Sequence, residues 1–398
     1  MTAVEWLLEP DLLFLNHGSF GACPRIVLEA QQAWRDRLEA EPVRFLAREL
    51  ETALDGARAV LGGFVGADPD DLAFVPNATH GVNTVLRSLR FAPGDELLTD
   101  DHAYHACRNA LRAAADRSGA TLVVAHVPFP TMDPDEVHEA VLAAVTSRTR
   151  LALISHVTSP TALIFPVAGI AAALAARGVE VLVDGAHAPG MVPLDIRALE
   201  AAGVAYYTGN AHKWLCAPKG SGFLWVRRDR QADIHPLAIS HGADSPRRDR
   251  SRFRLEFDWT GTADPSACLA IPAAIEAMGS VLQDGWPGLM AANHAAVVAG
   301  RLAVLDRLGL PAPAPAGMLG SMASLILPAA DPPVDDAALQ AALLEGWRIE
   351  VPVFSWPESR DDVTAAVAVR RIVRISAQVY VAASAWTTLA DALAESLE

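Results

Sequence analysis

From residue 70 to 230, short apolar runs alternate with longer stretches in which Ala, Leu and Val recur at helical spacing. DLAFV (71–75) precedes THGVNTVLRSLRF, DELLTD (95–100) precedes YHACRNALRAAADRSG, and TLVVAHV (121–127) precedes EVHEAVLAAVTSRT. LALISHV (151–157), VEVLVD (179–184) and VAYYTG (204–209) continue the alternation, with VAGIAAALAARG and LDIRALEAAG between them. Strands alternating with helices of this length predict βαβ units and a mostly parallel sheet covered on both faces, an α/β fold. Such sheets bind ligands beyond the carboxyl ends of their strands. That rule points to NAT at 77–79, DDHAY at 101–105, TSPT at 158–161, DGAH at 184–187 and GNAHK at 209–213.

After residue 265 the pattern changes. SACLAIPAAIEAMGSVLQ and NHAAVVAGRLAVLDRLG predict two helices, and PAPAPAG (311–317) a stiff turn. The remainder mixes strands (MASLILP, WRIEVPVF, RIVRISAQVYV) with helices (DDAALQAALLEG, TTLADALAESL), as in a smaller α+β domain. A large domain over 21–265 and a small one over 266–398 are therefore expected, which suits a chain of 398 residues.

Composition narrows the function. A formal charge of −15 argues against nucleic acid, whose phosphates need a basic face. The arginine-rich stretch SPRRDRSRFRLEFD, with Arg247, Arg248, Arg250, Arg252 and Arg254, reads as a solvated loop, a subunit contact or a substrate rim. Four scattered cysteines form no C-x-x-C pair, so neither a zinc site nor a disulfide framework is implied. The start MTAVEWLLEPDLLF lacks signal-peptide features, and the longest apolar runs, such as VAGIAAALAA (167–176), are expected to fall well short of the ~18–20 residues a span needs. A cytoplasmic protein without membrane or metal is expected.

Lysine usage then becomes informative. The chain contains thirty arginines but only two lysines, Lys213 and Lys219, both in GNAHKWLCAPKG. A guanidinium cannot lose its proton near neutrality to act as a nucleophile or base, whereas an ammonium can. Lys213 follows a strand; Lys219 sits in a Pro/Gly turn and reads as a surface or rim residue. Asp184 closes the preceding strand, where it is either a turn-forming residue or a buried partner for a cation. A lysine and an acid at neighbouring strand ends match the needs of pyridoxal phosphate. The lysine holds the cofactor as a Schiff base and the acid keeps its ring nitrogen protonated. Its phosphate requires a helix N-terminus, which Asn77, Ala78 and Thr79 supply, with Asn210 and His212 as further contributors. KGSGF (219–223) precedes a strand rather than a helix, so a nicotinamide-binding reading fails on context.

LNHGSFGACP (15–24), NATHGVN, TDDHAY, SHVTSPT, VDGAHAPG, GNAHKWLCAPKGSGFLW, WTGTAD and RISAQVY together resemble the class V aminotransferase superfamily, in particular its isopenicillin N epimerase-like branch. The resemblance runs in order from about residue 14 to 380. It implies the type I fold of pyridoxal-phosphate enzymes and a homodimer whose site is shared between subunits. Lys213 would be the Schiff-base lysine and proton shuttle, Asp184 the partner of the ring nitrogen, and His187 a neighbour of the phenolic oxygen. His102 would stack on the ring, with Tyr104 as acid or second stacking group. Ser159 stands where sulfur-removing relatives carry an asparagine to the phenolic oxygen. Thr79, Asn210 and His212 would hold the phosphate, and Thr262 would reach the phosphate of the neighbouring subunit. Arg374 would clamp the substrate carboxylate; without the resemblance it reads as an exposed edge-strand residue. Asn16 and His17 would belong to a flap, residues 1–20, over the site and its substrate.

The implied substrate is a small L-amino acid, and the implied reactions are epimerisation at Cα or cleavage of a C–S bond, with transamination or decarboxylation-coupled chemistry further down. Persulfide-forming desulfuration is disfavoured, because EVPVFSWPESRDDVTAAVAVRRIVR contains no cysteine to accept sulfur.

Overall fold

A computed structural model describes residues 4–328, 335–357 and 369–397. Among these, seven strands form one sheet in the order Leu72–Val75, Gly222–Val226, Val204–Asn210, Glu180–Gly185, Thr149–Ser155, Glu96–Asp100, Thr121–Ala125. The last five are mutually parallel, and Gly222–Val226 runs antiparallel to both its neighbours. The inner strands are buried almost throughout because helices cover both faces, whereas the edge strand Thr121–Ala125 is largely half-buried. Val181 and Val183 point into one core, whereas Leu182 between them points into the other with Val82, Leu111 and Tyr206. Helix starts carry the caps that the sequence supplies. Asn77 accepts from His80 N at 2.9 Å, and Asp133 and Asp195 do the same for Pro134–Ala143 and Ile196–Ala201.

A second, antiparallel sheet orders Val353–Trp356, Arg370–Ser376 and Met322–Ile326. Gly285–Leu308, Asp336–Trp347 and Ser384–Leu397 pack around it. The N-terminal segment joins this unit: Leu13–Phe14 pairs in parallel with Ile349–Glu350.

Three features differ from the sequence reading. Residues 21–70, for which the sequence reading gave no elements, form the helices Arg25–Ala40 and Leu50–Val65, joined by the short helix Pro42–Arg44 and a π-helical turn, Phe45–Glu49. Gly285–Leu308 is one helix, long and apolar enough by length and composition to cross a membrane. Its Leu289, Val297, Val304 and Leu305 are nevertheless buried against neighbouring elements, as in a core helix. The arginine-rich stretch is not simply a solvated loop. Arg252–Phe257 is a helix, and Arg254 is buried and paired with Asp55, Asp70 and Asp258. Arg250 bonds Asp55 at 2.6 Å, and Arg58, only 1% exposed, joins Asp55 to Asp258. These pairs fasten the stretch onto Leu50–Val65.

Candidate active site

The parallel register sets Asp184 beside Thr208 and Gly185 beside Gly209, so two adjacent strands end together with Asp184 and Asn210 at their tips. The helix Ala78–Ser88 lies close over them. A Cβ on Gly81 would fall 2.2 Å from Thr208 Oγ1, so only glycine permits this approach. Ala78 N donates to Asn210 Oδ1 at 2.8 Å, fixing the helix N-terminus at the mouth of a cavity of about 540 Å³. Asn77, Ala78, Thr79 and Asn210 line one side of it. His212 lines it too, its Nδ1 donating to Ser221 O at 3.0 Å and burial lowering its pKa to about 4.

Lys213 reaches the same cavity, and its Nζ lies 3.0 Å from His187 Nε2. Desolvation, then the nearby Arg374 guanidinium, lowers the amine's pKa to about 7, against an opposing pull from Asp184. Trp214 Nε1 donates to the other nitrogen of His187, Nδ1, at 3.4 Å. Burial pushes the His187 pKa well below its ordinary value, with Lys213 and Arg374 adding to the effect. Asp184 is 5% exposed and accepts from Cys107 Sγ at 3.2 Å and Ala186 N at 3.1 Å. Burial raises its pKa. Among the described residues no lysine or arginine lies within ion-pairing distance of it. Lys219 is exposed at the rim and bonds Gly21 O.

A second cavity of about 210 Å³ adjoins the first and shares Ser19, Tyr104 and Ser159 with it. Arg374 forms its wall. The guanidinium is buried, not exposed on an edge: Nη1 donates to Ser159 O (2.7 Å) and Oγ (3.1 Å), and Nη2 to Ser19 Oγ (2.7 Å). Among the described residues its Nε has no partner, and burial brings its pKa down to about 10. An arginine held by neutral hydroxyls and a carbonyl, in a cavity wall, suits a carboxylate.

Several expected site residues lie elsewhere. His102 does not face the cavity. It is fully buried among Phe129, Phe165 and Trp356, with Nε2 donating to Val127 O (3.0 Å) and Nδ1 bonded to Thr161 Oγ1 (2.6 Å). Tyr104, two residues on and 48% exposed, lines both cavities. His17 is no flap residue either. Nε2 donates to Lys213 O (3.1 Å) and Nδ1 pairs with Tyr380 Oη (2.9 Å), so it holds the lysine's backbone. Asn16 is buried and donates to Glu350 Oε1. The segment's cavity-facing residues are instead Ser19 and Phe20. Ser159 lines the cavity and seats Arg374, accepting from it through both its carbonyl and its hydroxyl oxygen. Thr262 is exposed and outside this chain's own cavity. Within the cysteine-free stretch, 358–368 lie outside the described residues.

These donors fit pyridoxal phosphate. A helix N-terminus with Thr79 suits the phosphate, a buried carboxylate lacking an ion-pair partner suits a protonated ring nitrogen, and a depressed lysine suits the aldehyde. The family model for aminotransferase class V matches residues 15–282. The chain is 36% identical to the isopenicillin N epimerase of Streptomyces clavuligerus, over 99% of this chain and 98% of the relative. It is 31% identical to a probable chloroplastic L-cysteine desulfhydrase of Arabidopsis thaliana, over 97% and 83% respectively. A solved C-DES mutant with glycine covalently linked to its PLP cofactor superposes with a TM-score of 0.79 at 21% identity, covering 97% of both chains. With this sheet, this cavity and these relatives, the chain belongs to the class V aminotransferase family of pyridoxal-phosphate enzymes.

Proposed function

We propose that this enzyme epimerises an L-amino acid with a free carboxylate, Lys213 removing the α-proton. The carrying observation is the placing of Lys213, half-buried, in one cavity with Asp184 and His187, its Nζ 3.0 Å from His187 Nε2, next to an adjoining cavity walled by Arg374. When bound, the cofactor supplies an electron sink that acidifies the substrate's Cα–H. Asp184 would pair with the protonated ring nitrogen, His187 would donate toward the phenolic oxygen, and Thr79, Asn210 and His212 would take the phosphate. Arg374, oriented by Ser19 and Ser159, grips the substrate carboxylate with two N–H groups. Near neutrality much of the Lys213 amine is unprotonated and can act as base. Tyr104, at the junction of the cavities, returns a proton to the substrate from the other side. Residues 21–265 serve as the cofactor-binding domain and 266–398 as the smaller domain.

C–S cleavage is the second reading, favoured by the likeness of nearly the whole chain to L-cysteine desulfhydrases. There, the same proton abstraction leads to loss of a β-thiol, and Tyr104 needs no proton-donor role.

The test is incubation of purified holoenzyme with L-cysteine conjugates and other L-amino acids in deuterated water. Deuterium at Cα with loss of optical rotation supports epimerisation. Pyruvate release identifies the lyase instead, and protium retained at Cα of every substrate defeats both.

A further inference from the structure

His187 has two ring nitrogens in two different surroundings, and its role depends on which of them carries the proton. We propose that Trp214 is a positioning residue that locks His187 in the Nε2–H form, making it a permanent donor toward the reacting centre. The indole Nε1–H can only donate, and it points at His187 Nδ1 from 3.4 Å. Nδ1 must therefore accept. A neutral imidazole that accepts at one nitrogen carries its proton on the other, so Nε2 is the donor. Nε2 lies 3.0 Å from Lys213 Nζ, whose unprotonated form has a lone pair to receive it. The opposite tautomer would set two N–H groups head to head at Nδ1 and leave a bare acceptor at Nε2.

The imidazole is neutral for reasons of place. It is 2% exposed, and among the described residues the charged or titratable groups that act on it are Lys213, Arg374 and His212, all cationic when protonated. A second positive charge there would be repelled and desolvated.

The indole cannot swing away to release the lock. Trp214 is 1% exposed, packed with Val157, Ala188, Met191 and Met322, and its ring lies 4.7 Å from that of His17. His17 is itself bonded to Lys213 O and Tyr380 Oη. Because Trp214 follows Lys213 directly, one short segment carries both the amine and the group that orients the amine's partner. A fixed donor suits an oxygen that bears negative charge, as the phenolic oxygen of the bound cofactor does. Only this last step rests on the reading given under Proposed function.

The test uses protein labelled with ¹⁵N in histidine and tryptophan side chains. Long-range ¹H–¹⁵N correlations are recorded before and after addition of pyridoxal phosphate, the His187 signals being those lost in His187→Gln. The proposal predicts a proton on Nε2 alone in the unsubstituted protein, and both tautomers in Trp214→Phe, which keeps a buried ring without the N–H. In the holoenzyme, Trp214→Phe is also expected to raise the titration midpoint of the lysine-bound cofactor's absorbance by about one pH unit. The same substitution in a His187→Gln background, where no tautomer exists, should leave the midpoint in place.

The tautomer decides. A proton on Nδ1 of the unsubstituted protein, or Nε2–H alone surviving in Trp214→Phe, overturns the proposal. If Trp214→Phe does not fold, a through-bond N–N coupling between Trp214 Nε1 and His187 Nδ1 in the unsubstituted protein supports it, and absence of that coupling overturns it. The measurement on cofactor-free protein reads the lock whichever reaction is catalysed, so its failure is distinct from failure of the epimerase reading.

Discussion

Burial makes Lys213 a base where an ordinary lysine would be an ammonium. Desolvation penalises the charged form, Arg374 repels it, and the counter-pull of Asp184 is weaker than either. The pKa falls to about 7, so the fraction of free amine in cofactor-free protein rises through that pH and then saturates. Stopped-flow capture of pyridoxal phosphate should accelerate up to about pH 8 and level off. Continued acceleration toward ~10.4, where an unperturbed lysine titrates, would contradict this. The linkage has the matching sign. Between about pH 7 and ~10.4 the unfolded chain binds the proton and the fold does not, so the residue's cost to cofactor-free stability is full below that window and fades across it. At this scale the sequence was readable where a residue type was rare or sat at a strand end, as with Lys213 and Asp184. It misled at His102, because in a turn two residues apart point to different sides and only the packing of Phe129, Phe165 and Trp356 decides which. Ser19 and Cys107 act on Arg374 and Asp184 across 355 and 77 positions, a distance no local pattern reports.

Elements were legible to the extent that their own period announces them. The strands of the parallel sheet fall within a residue or two of the apolar runs, since full burial on both faces demands continuous hydrophobicity. The arginine-rich helix Arg252–Phe257 was not legible as a buried element, because its acidic partners Asp55 and Asp70 sit about two hundred positions earlier. Arg58 is the innermost member, flanked by Asp55 and Asp258, and the whole group pins Arg252–Phe257 to Leu50–Val65. Arg58→Met leaves the buried Asp258 short of one cation, and urea unfolding should show a loss of about 3 kcal/mol. Adding Asp258→Asn should recover part of that loss, since the stranded charge goes with it. An Arg58→Met protein as stable as the parent would show the network to be ornamental to folding.

The whole molecule places one sheet's strand ends opposite another sheet's Arg374, with the N-terminal segment threaded between them. Leu13–Phe14 pairs with Ile349–Glu350, His17 grips the Lys213 backbone, and Ser19 orients Arg374, so this segment couples the two sheets. Thr262 alone among the expected site residues lies exposed and away from its own cavity, which is where a contribution to a partner's site belongs. Sedimentation should therefore find a dimer at micromolar concentration, and Thr262→Ala should weaken cofactor binding about tenfold without dissociating it. A monomer that retains cofactor fully would remove the shared-site proposal.

The account depends most on which amine carries the cofactor. Borohydride reduction of the holoenzyme followed by peptide mass mapping reads this directly, because the chain has just two lysines. The pyridoxyl group is predicted on Lys213 alone; finding it on Lys219, or on neither, would contradict the assignment on which the chemistry is built.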